Sequence, residues 1–468
     1  MALSRCVLTV ASLCLPLLAW GSCAPEPAPA KPPNVVFVLL DTVRADRMSL
    51  QKTARKTTPR IAEWARGGAV FEDAQSQAPW TLPSMASLFT GVVPPRHQAG
   101  FPEPGVRHLD KMKSSRLSDA VPTMAERLSA AGWRTEAFVT NPIIAAGLER
   151  GWDDLKIRLT EGADVATFAE QAIPRLAAGD DPFCLWLHFM DAHDPLLVPN
   201  DDIRLVAVPK KDPASRKMLA RQLSPRAPTE WAEARFHVYD GSLHYLDRQV
   251  ARVLAALDAA GVADDTIVVL TSDHGDEFHD HKQLASAAGY SDPRGFLGIG
   301  HGHTLFAEQL HVPLVIVGPG VPPARHERMV GLIDVVPTVL ELLGLEAPAG
   351  VDGRSLVPLL SGKGLAPRPL WGGSLAYGPD RTCWITEEWK LIRGGEGERD
   401  LLFRRDEDPT EYNDRLQGSA KVGENMGRLL DMYEASLVPY DESNAVEHDQ
   451  ETLELLDAIG YGGSVDNG

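Results

Sequence analysis

Of the five cysteines in this 468-residue chain, only Cys184 and Cys383 lie beyond residue 23. Two cysteines cannot make a disulfide framework, so the fold must rest on a packed core. Cys184 sits inside the apolar run Phe183 to Phe189 and reads as a buried core residue, the commoner fate of a free thiol. Positive charge is scarce too. The 46 Lys and Arg face 64 Asp and Glu, giving a net charge of -18 and a pI near 5.2. That balance excludes a protein that wraps nucleic acid, where binding depends on Lys and Arg neutralising phosphates. An anionic substrate would need a local positive centre, and a bound divalent cation supplies one whatever the net charge. The chain has no internal repeat. It also lacks the run of roughly 20 apolar residues that a membrane-spanning helix needs; the stretch Val7 to Trp20 is short and broken by Pro16.

What is present at the N-terminus describes a signal peptide over residues 1–23: Arg5, a brief apolar stretch, then the small residues Gly21 and Ser22. Small residues before Cys23 fit a bacterial lipoprotein cleavage site, although Trp20 stands where Leu is usual. The expectation is export to the periplasm with attachment to a membrane through a lipidated Cys23, the alternatives being secretion or an uncleaved anchor. Residues 24–33 form a Pro- and Ala-rich linker. Hydrophobic content of 44% and charged content of 24% are ordinary for a folded protein, and the length favours one large domain plus a smaller one.

Asn34 to Leu40 (NVVFVLL) is a nearly continuous apolar run, as expected of a strand buried on both faces of a parallel sheet. Similar runs occur at Pro182 to Phe189, Thr266 to Leu270 and Val312 to Val317. Helical patterns lie at Thr123 to Ala131, Leu243 to Ala260 and Val335 to Leu343, the last closed by Gly344. Strands alternating with helices predict an α/β fold with a central, mostly parallel sheet, whose chemistry gathers at the carboxyl ends of the strands. Short strands at 370–371, 383–385, 389–392 and 400–403, separated by Gly-rich turns, predict a small antiparallel C-terminal subdomain. The acidic stretch 441–468 reads as a loosely ordered tail.

Two strand ends carry candidate ligands. Asp41 follows the first strand in LLDTVRAD, and Asp273 and His274 follow another in VVLTSDHGDEF. A carboxylate at the end of a buried strand is costly unless solvated or bound to something positive. Each has a plainer reading, a turn cap for Asp41 and a surface turn for Asp-His. Imidazole suits zinc or manganese better than calcium.

The stretch Ala78 to Gly91, APWTLPSMASLFTG, resembles the nucleophile block of the sulfatase family within the alkaline-phosphatase superfamily. Pro83, Ser84, Ser87, Thr90 and Gly91 match that block. Thr81 stands where the family carries the Cys or Ser that is oxidised to formylglycine, and Met85 stands where it carries Arg. The likeness runs from about Pro33 to Asp414 with its motifs in the family's order, including Asp334 to Leu360 and the turn Asp406 to Asp414. It implies an alkaline-phosphatase-like catalytic domain over 34–365 and a C-terminal subdomain over 366–440.

The resemblance implies a site at which Asp41, Thr81, Asp273 and His274 hold a divalent metal ion, Zn, Mn or Ca, as one ion or two. Where the family has two consecutive aspartates, this chain has Asp41 followed by Thr42. Thr81 becomes the candidate nucleophile at a helix N-terminus that cradles an oxyanion; its plainer reading is an N-cap. His193, in HFMDAHDP, corresponds to a histidine that contacts substrate and protonates the departing oxygen, with Asp191 to orient it or to ligate a second metal. A purely structural histidine is the alternative. His301, favoured over His303 in GIGHGHTLF, is the candidate to meet the substrate anion or a metal. His279 and His281 read as solvated residues of a long loop, 273–300, of the kind that serves as a lid. The family's Lys-x-His pair falls at Val139 to Pro142, which reads VTNP, so the usual cationic grip is missing.

Three functions are compatible with these residues: a metal-dependent hydrolase of sulfuric esters with Thr81 as nucleophile, a phosphoester hydrolase or transferase working through phosphothreonine, and a non-catalytic binder on the same scaffold. The substrate is an anionic sulfate or phosphate ester. The sequence leaves the oligomeric state open.

Overall fold

The computed structural model describes residues 31–51, 56–100, 114–194, 202, 232–346, 348–440, 445–446, 450 and 454. The expected signal peptide, Cys23 and most of the expected linker and tail lie outside the described residues.

Residues from Pro32 onward cluster as one unit. Its centre is a nine-stranded sheet. In chain order the strands are β1 (Asn34–Leu40), β2 (Ala69–Gln75), β3 (Arg134–Val139), β4 (Asp154–Ile157), β5 (Phe183–Phe189), β6 (Thr266–Thr271), β7 (His311–Val317) and β8 (Ala324–His326). They lie side by side in the order β8-β2-β7-β6-β1-β5-β3-β4, and Val330–Gly331 also pairs with β2. β7 runs antiparallel to both its neighbours, whereas the other pairings in the sheet are parallel. Val312 to Val317, which reads like the parallel core strands, is therefore the reversed one. A short buried run does not encode its direction.

β1 shows why such a run is buried on both sides. Its alternate residues feed opposite cores. Val35, Phe37 and Leu39 pack with helices α1 (Thr81–Thr90), α2 (Met124–Ala130) and α5 (Val335–Leu342). Val36, Val38 and Leu40 pack with α3 (Gly162–Ala177) and α4 (Ala232–Ala259). Thr123 caps α2 through a reciprocal bond with Glu126, so the expected start of that helix has a chemical cause. α4 begins earlier than its amphipathic pattern suggests. α3 and strands β2 to β4 are additions to the expected elements: β2 turns polar in its second half and β4 is only half-buried at the edge.

The C-terminal strands β9 (Leu370–Gly372), β10 (Thr382–Ile385), β11 (Trp389–Arg393) and β12 (Leu401–Arg404) form an antiparallel meander in sequence order. An unanticipated helix, α6 (Ala420–Ser436), buries Met426 and Leu430 in the same core. Within the expected loose tail, Ala445–Val446 pairs with Ser114–Ser115. Cys184 and Cys383 are buried and unpaired.

Candidate active site at the strand ends

Four neighbouring strands, β6, β1, β5 and β3, run the same way and end at one rim. Each delivers a polar residue there: Asp273 after β6, Asp41 after β1, His188 near the end of β5, and Asn141 just past β3. α1 follows β2 and begins at the same rim with Thr81. Ser84 fixes its first turn by donating to the Asp273 carbonyl at 2.6 Å. The N-cap of α1 is Trp80, with no side-chain capping bond, so the Thr81 hydroxyl is not the cap. Gly91 closes the helix at φ 76°, a left-handed position that favours glycine. Met85 is buried in the core, away from any anion-gripping role.

Hydrogen bonds partition the two carboxylates in the same way. Asp41 Oδ2 lies 3.3 Å from both Asn141 Nδ2 and His188 Nε2. The Thr140 N–H approaches His188 Nδ1 at 3.3 Å. A backbone N–H can only donate, so the His188 proton sits on Nε2 and faces Asp41. Asp41 Oδ1 accepts no hydrogen bond. On Asp273, Oδ1 accepts from the N–H of His274 at 2.9 Å and of Thr42 at 3.3 Å, while Oδ2 accepts none. His274 Nδ1 lies 2.9 Å from the Gly275 carbonyl, to which it must donate, leaving the Nε2 lone pair 3.8 Å from Asp41 Oδ1 and 3.3 Å from Asp273 Oδ2. Two unpartnered carboxylate oxygens and a ring nitrogen thus converge, buried, with ligand atoms within 4.8 Å of one another. That donor set fits a divalent cation. The Thr81 hydroxyl stands beside it, 3.3 Å from His274 Nε2 and 3.5 Å from Asn141 Nδ2.

The electrostatics agree. Burial pushes Asp41 up, but the His188 hydrogen bond and the fields of His193, His188 and His274 outweigh it and leave Asp41 below the usual carboxylate range. Burial and then the Asp41 charge lift Asp273 to about 6. Backbone geometry is specialised too: Thr42 holds φ at 60°, uncommon for a β-branched residue, with its carbonyl accepting from Tyr239 at 2.6 Å. A Cβ on Gly275 would meet the Glu308 carbonyl at 2.0 Å, so glycine is required after the Asp-His pair.

The histidines divide. The His301 ring lies 4.5 Å from that of His274 and 4.9 Å from that of His193, and its Nδ1 lies 3.0 Å from Asp276 Oδ1. His303 pairs instead with buried Glu277 at 3.1 Å. The His193 Nδ1 donates to the Asp194 carbonyl at 2.6 Å. Asp191 Oδ1 accepts from the Gly162 N–H at the start of α3 at 2.9 Å, and its Oδ2 has no partner. Burial lifts its carboxyl to about 6. His281 is not solvated: it is buried, 2.9 Å from Glu308 and stacked on Phe306 and Tyr412. Nor is 273–300 a bare loop, since Glu277–Phe278 pairs with Ile299–Gly300 and Lys282–Ala287 is helical.

Sequence reasoning passed over His188, Asn141 and Asp276. A signal existed for His188, the one imidazole in the run FCLWLHF, and for Asn141, which occupies the place of the missing lysine motif.

The family model described as Sulfatase matches residues 33–345. Arylsulfatase K of Danio rerio is 30% identical over 227 residues, covering 46% of this chain and 40% of that protein. The chain thus spans less than half the length of that relative. Choline-sulfatase of Rhizobium meliloti (strain 1021) is 23% identical over 396 residues, 70% of this chain and 72% of that protein. Among solved structures, phosphonate monoester hydrolase of Agrobacterium radiobacter shares the fold with a TM-score of 0.65 at 20% identity, covering 86% of this chain and 95% of that one. With the family match extending over most of the chain and ending just past α5, the chain belongs to the sulfatase family of hydrolases.

Proposed function

We propose that this chain hydrolyses sulfate esters with Thr81 as the nucleophile, at a divalent cation held by Asp41, Asp273, His274 and Thr81 itself. The observation that carries the reading is the shared partition of the two carboxylates, each with one oxygen held by donors and the other aimed, with the His274 lone pair, at a point beside the Thr81 hydroxyl. When bound, the cation supplies positive charge for an ester oxygen and lowers the pKa of the hydroxyl. The imidazole ligand favours zinc or manganese over calcium.

Thr81 Oγ, its proton released to solvent, attacks sulfur as the bond to the alcohol breaks, and His193 as imidazolium protonates the departing oxygen. Its Nδ1–H is anchored on the Asp194 carbonyl, which fixes the ring, so the proton given to the leaving oxygen is the second one, held on Nε2 in the imidazolium form. Water then cleaves the threonine ester. His301, braced by Asp276, is the group to take a proton from that water. His188 and Asn141 orient Asp41 through Oδ2. The expected export, with lipid attachment at Cys23, would place this chemistry outside the cytoplasm.

A second reading, phosphate or phosphonate ester hydrolysis through phosphothreonine, is favoured by the hydroxyl nucleophile. Formylglycine hydrate expels sulfate by collapsing to its aldehyde, a route closed to a threonine ester. Parallel assays of an aryl sulfate, a phosphate monoester and a phosphate diester, with elemental analysis of the metal, test both. Turnover of the phosphate esters alone would replace the first reading by the second. Undiminished turnover in Thr81→Ala would end both.

A further inference from the structure

The chain lacks the cations that the family resemblance leads one to expect, and the fold brings in another from a distant helix. Four arginines are buried among the described residues: Arg44, Arg47, Arg235 and Arg381. Arg44 donates to Asp46, Asp280 and the Asp276 carbonyl. Arg47 binds Asp240, and Arg381 binds Glu398 and the carbonyls of His303 and Ser291. Arg235 differs. Its Nη2 donates to Asp194 Oδ2 at 2.6 Å, but Nε and Nη1 have no acceptor although the residue has no exposure at all. Leaving donors of a buried guanidinium unmet is costly, so their natural partner is an acceptor that arrives with a ligand. The location is informative. Arg235 grips the side chain of Asp194, whose carbonyl anchors His193, and its charge acts on Asp276, which braces His301. Through Asp194 and Asp276 it is therefore linked to the two histidines assigned to the departing alcohol and the attacking water.

We propose that Arg235 binds an oxyanion group carried on the alcohol portion of the substrate, so that the preferred substrate is a sulfate ester of an acidic alcohol. This rests on the assignment of His193 to the leaving oxygen. The guanidinium suits such a group because planar oxyanions accept charge-assisted hydrogen bonds from it. In a chain of net charge -18, a local cation also offsets the repulsion a doubly anionic substrate would meet.

The test compares 4-carboxyphenyl sulfate with phenyl sulfate on the metal-loaded protein. The wild type is expected to show a KM about tenfold lower for the carboxylated ester, the scale of one charge-assisted hydrogen bond. Arg235→Gln should bring the two KM values together, whatever loss the esters share through Asp194, and Arg235→Lys should restore part of the difference. Equal losses on both esters would overturn the proposal and leave Arg235 a structural support of Asp194. Calorimetric titration of the wild type with 4-hydroxybenzoate and with phenol needs neither a variant nor turnover. Preference for the benzoate supports the proposal and equal binding overturns it, even where neither sulfate ester is hydrolysed and the proposed reaction fails.

Discussion

Two clusters of acids and imidazoles lie close together in this chain, and they handle their charges in opposite ways. In the first, Asp41 and Asp273 bring two carboxylate oxygens without donors together beside the His274 ring nitrogen and the Thr81 hydroxyl. In the second, His281 meets Glu308 at 2.9 Å between the rings of Phe306 and Tyr412. Burial alone would lower His281, but Glu308, with Glu277 and Glu411 beyond it, raises it to about 9. The proton that this pair shares belongs on the imidazole, which faces acids on several sides. The second cluster balances its charge internally, although His281 Nε2 finds no acceptor, whereas the first leaves two carboxylate oxygens unmet. Counting donors and acceptors, rather than counting histidines, separates a ligand set from a buried ion pair.

The contrast can be broken in several places. The largest effect is expected from Thr81→Ala, which should abolish turnover while leaving the thermal melting curve and metal content near those of the wild type; Thr81→Ser should keep measurable activity. Second, Asp273→Asn should lose the bound metal, read directly by elemental analysis. Chelation of the wild type should lower its melting temperature, because a ligand present at about 100 times its Kd stabilises by roughly 2.7 kcal/mol. Third, Glu308→Gln leaves His281 buried without its counter-charge. It should destabilise the fold by about 3 kcal/mol in denaturant titration, with metal content per folded molecule unchanged. Loss of metal in that variant would mean that the clusters are not independent.

The smallest expected effect is on pH. A histidine whose folded pKa lies above its unfolded value of about 6.5 contributes stability that is fully present below pH 6.5 and is lost as pH rises through the folded pKa. For His281 that window runs from about 6.5 up to about 9. Stability should fall across it in the wild type, and His281→Gln should flatten that part of the profile. An unchanged slope in the variant would remove His281 as the cause.

Much of this was legible in residue order. The runs NVVFVLL and TIVVLT announced strands buried on both faces, and the polar residues just past them, Asp41 and Asp273, marked the rim where chemistry collects. The C-terminal strands were readable from short apolar runs between turns. Direction was not: β7 looks like its parallel neighbours but runs against them, because its course is set by what it pairs with. The roles of the histidines were read unevenly. His301 and His303 differ by two positions along the chain, yet one meets His274 and the other Glu277, because a turn of backbone sends their rings to different partners.

Sequence by itself determined the layered fold, the family, and the residue types at the strand ends, since these follow from hydrophobic period and motif order along one chain. Only the tertiary structure decided which oxygen of each carboxylate is already occupied, that His188 turns Nε2 towards Asp41 while His274 Nδ1 meets the Gly275 carbonyl, and that Arg235 comes to stand beside Asp194 with donors unmet. Hydrogen-bond direction depends on neighbours brought together across some two hundred positions, and no local pattern of residues records it.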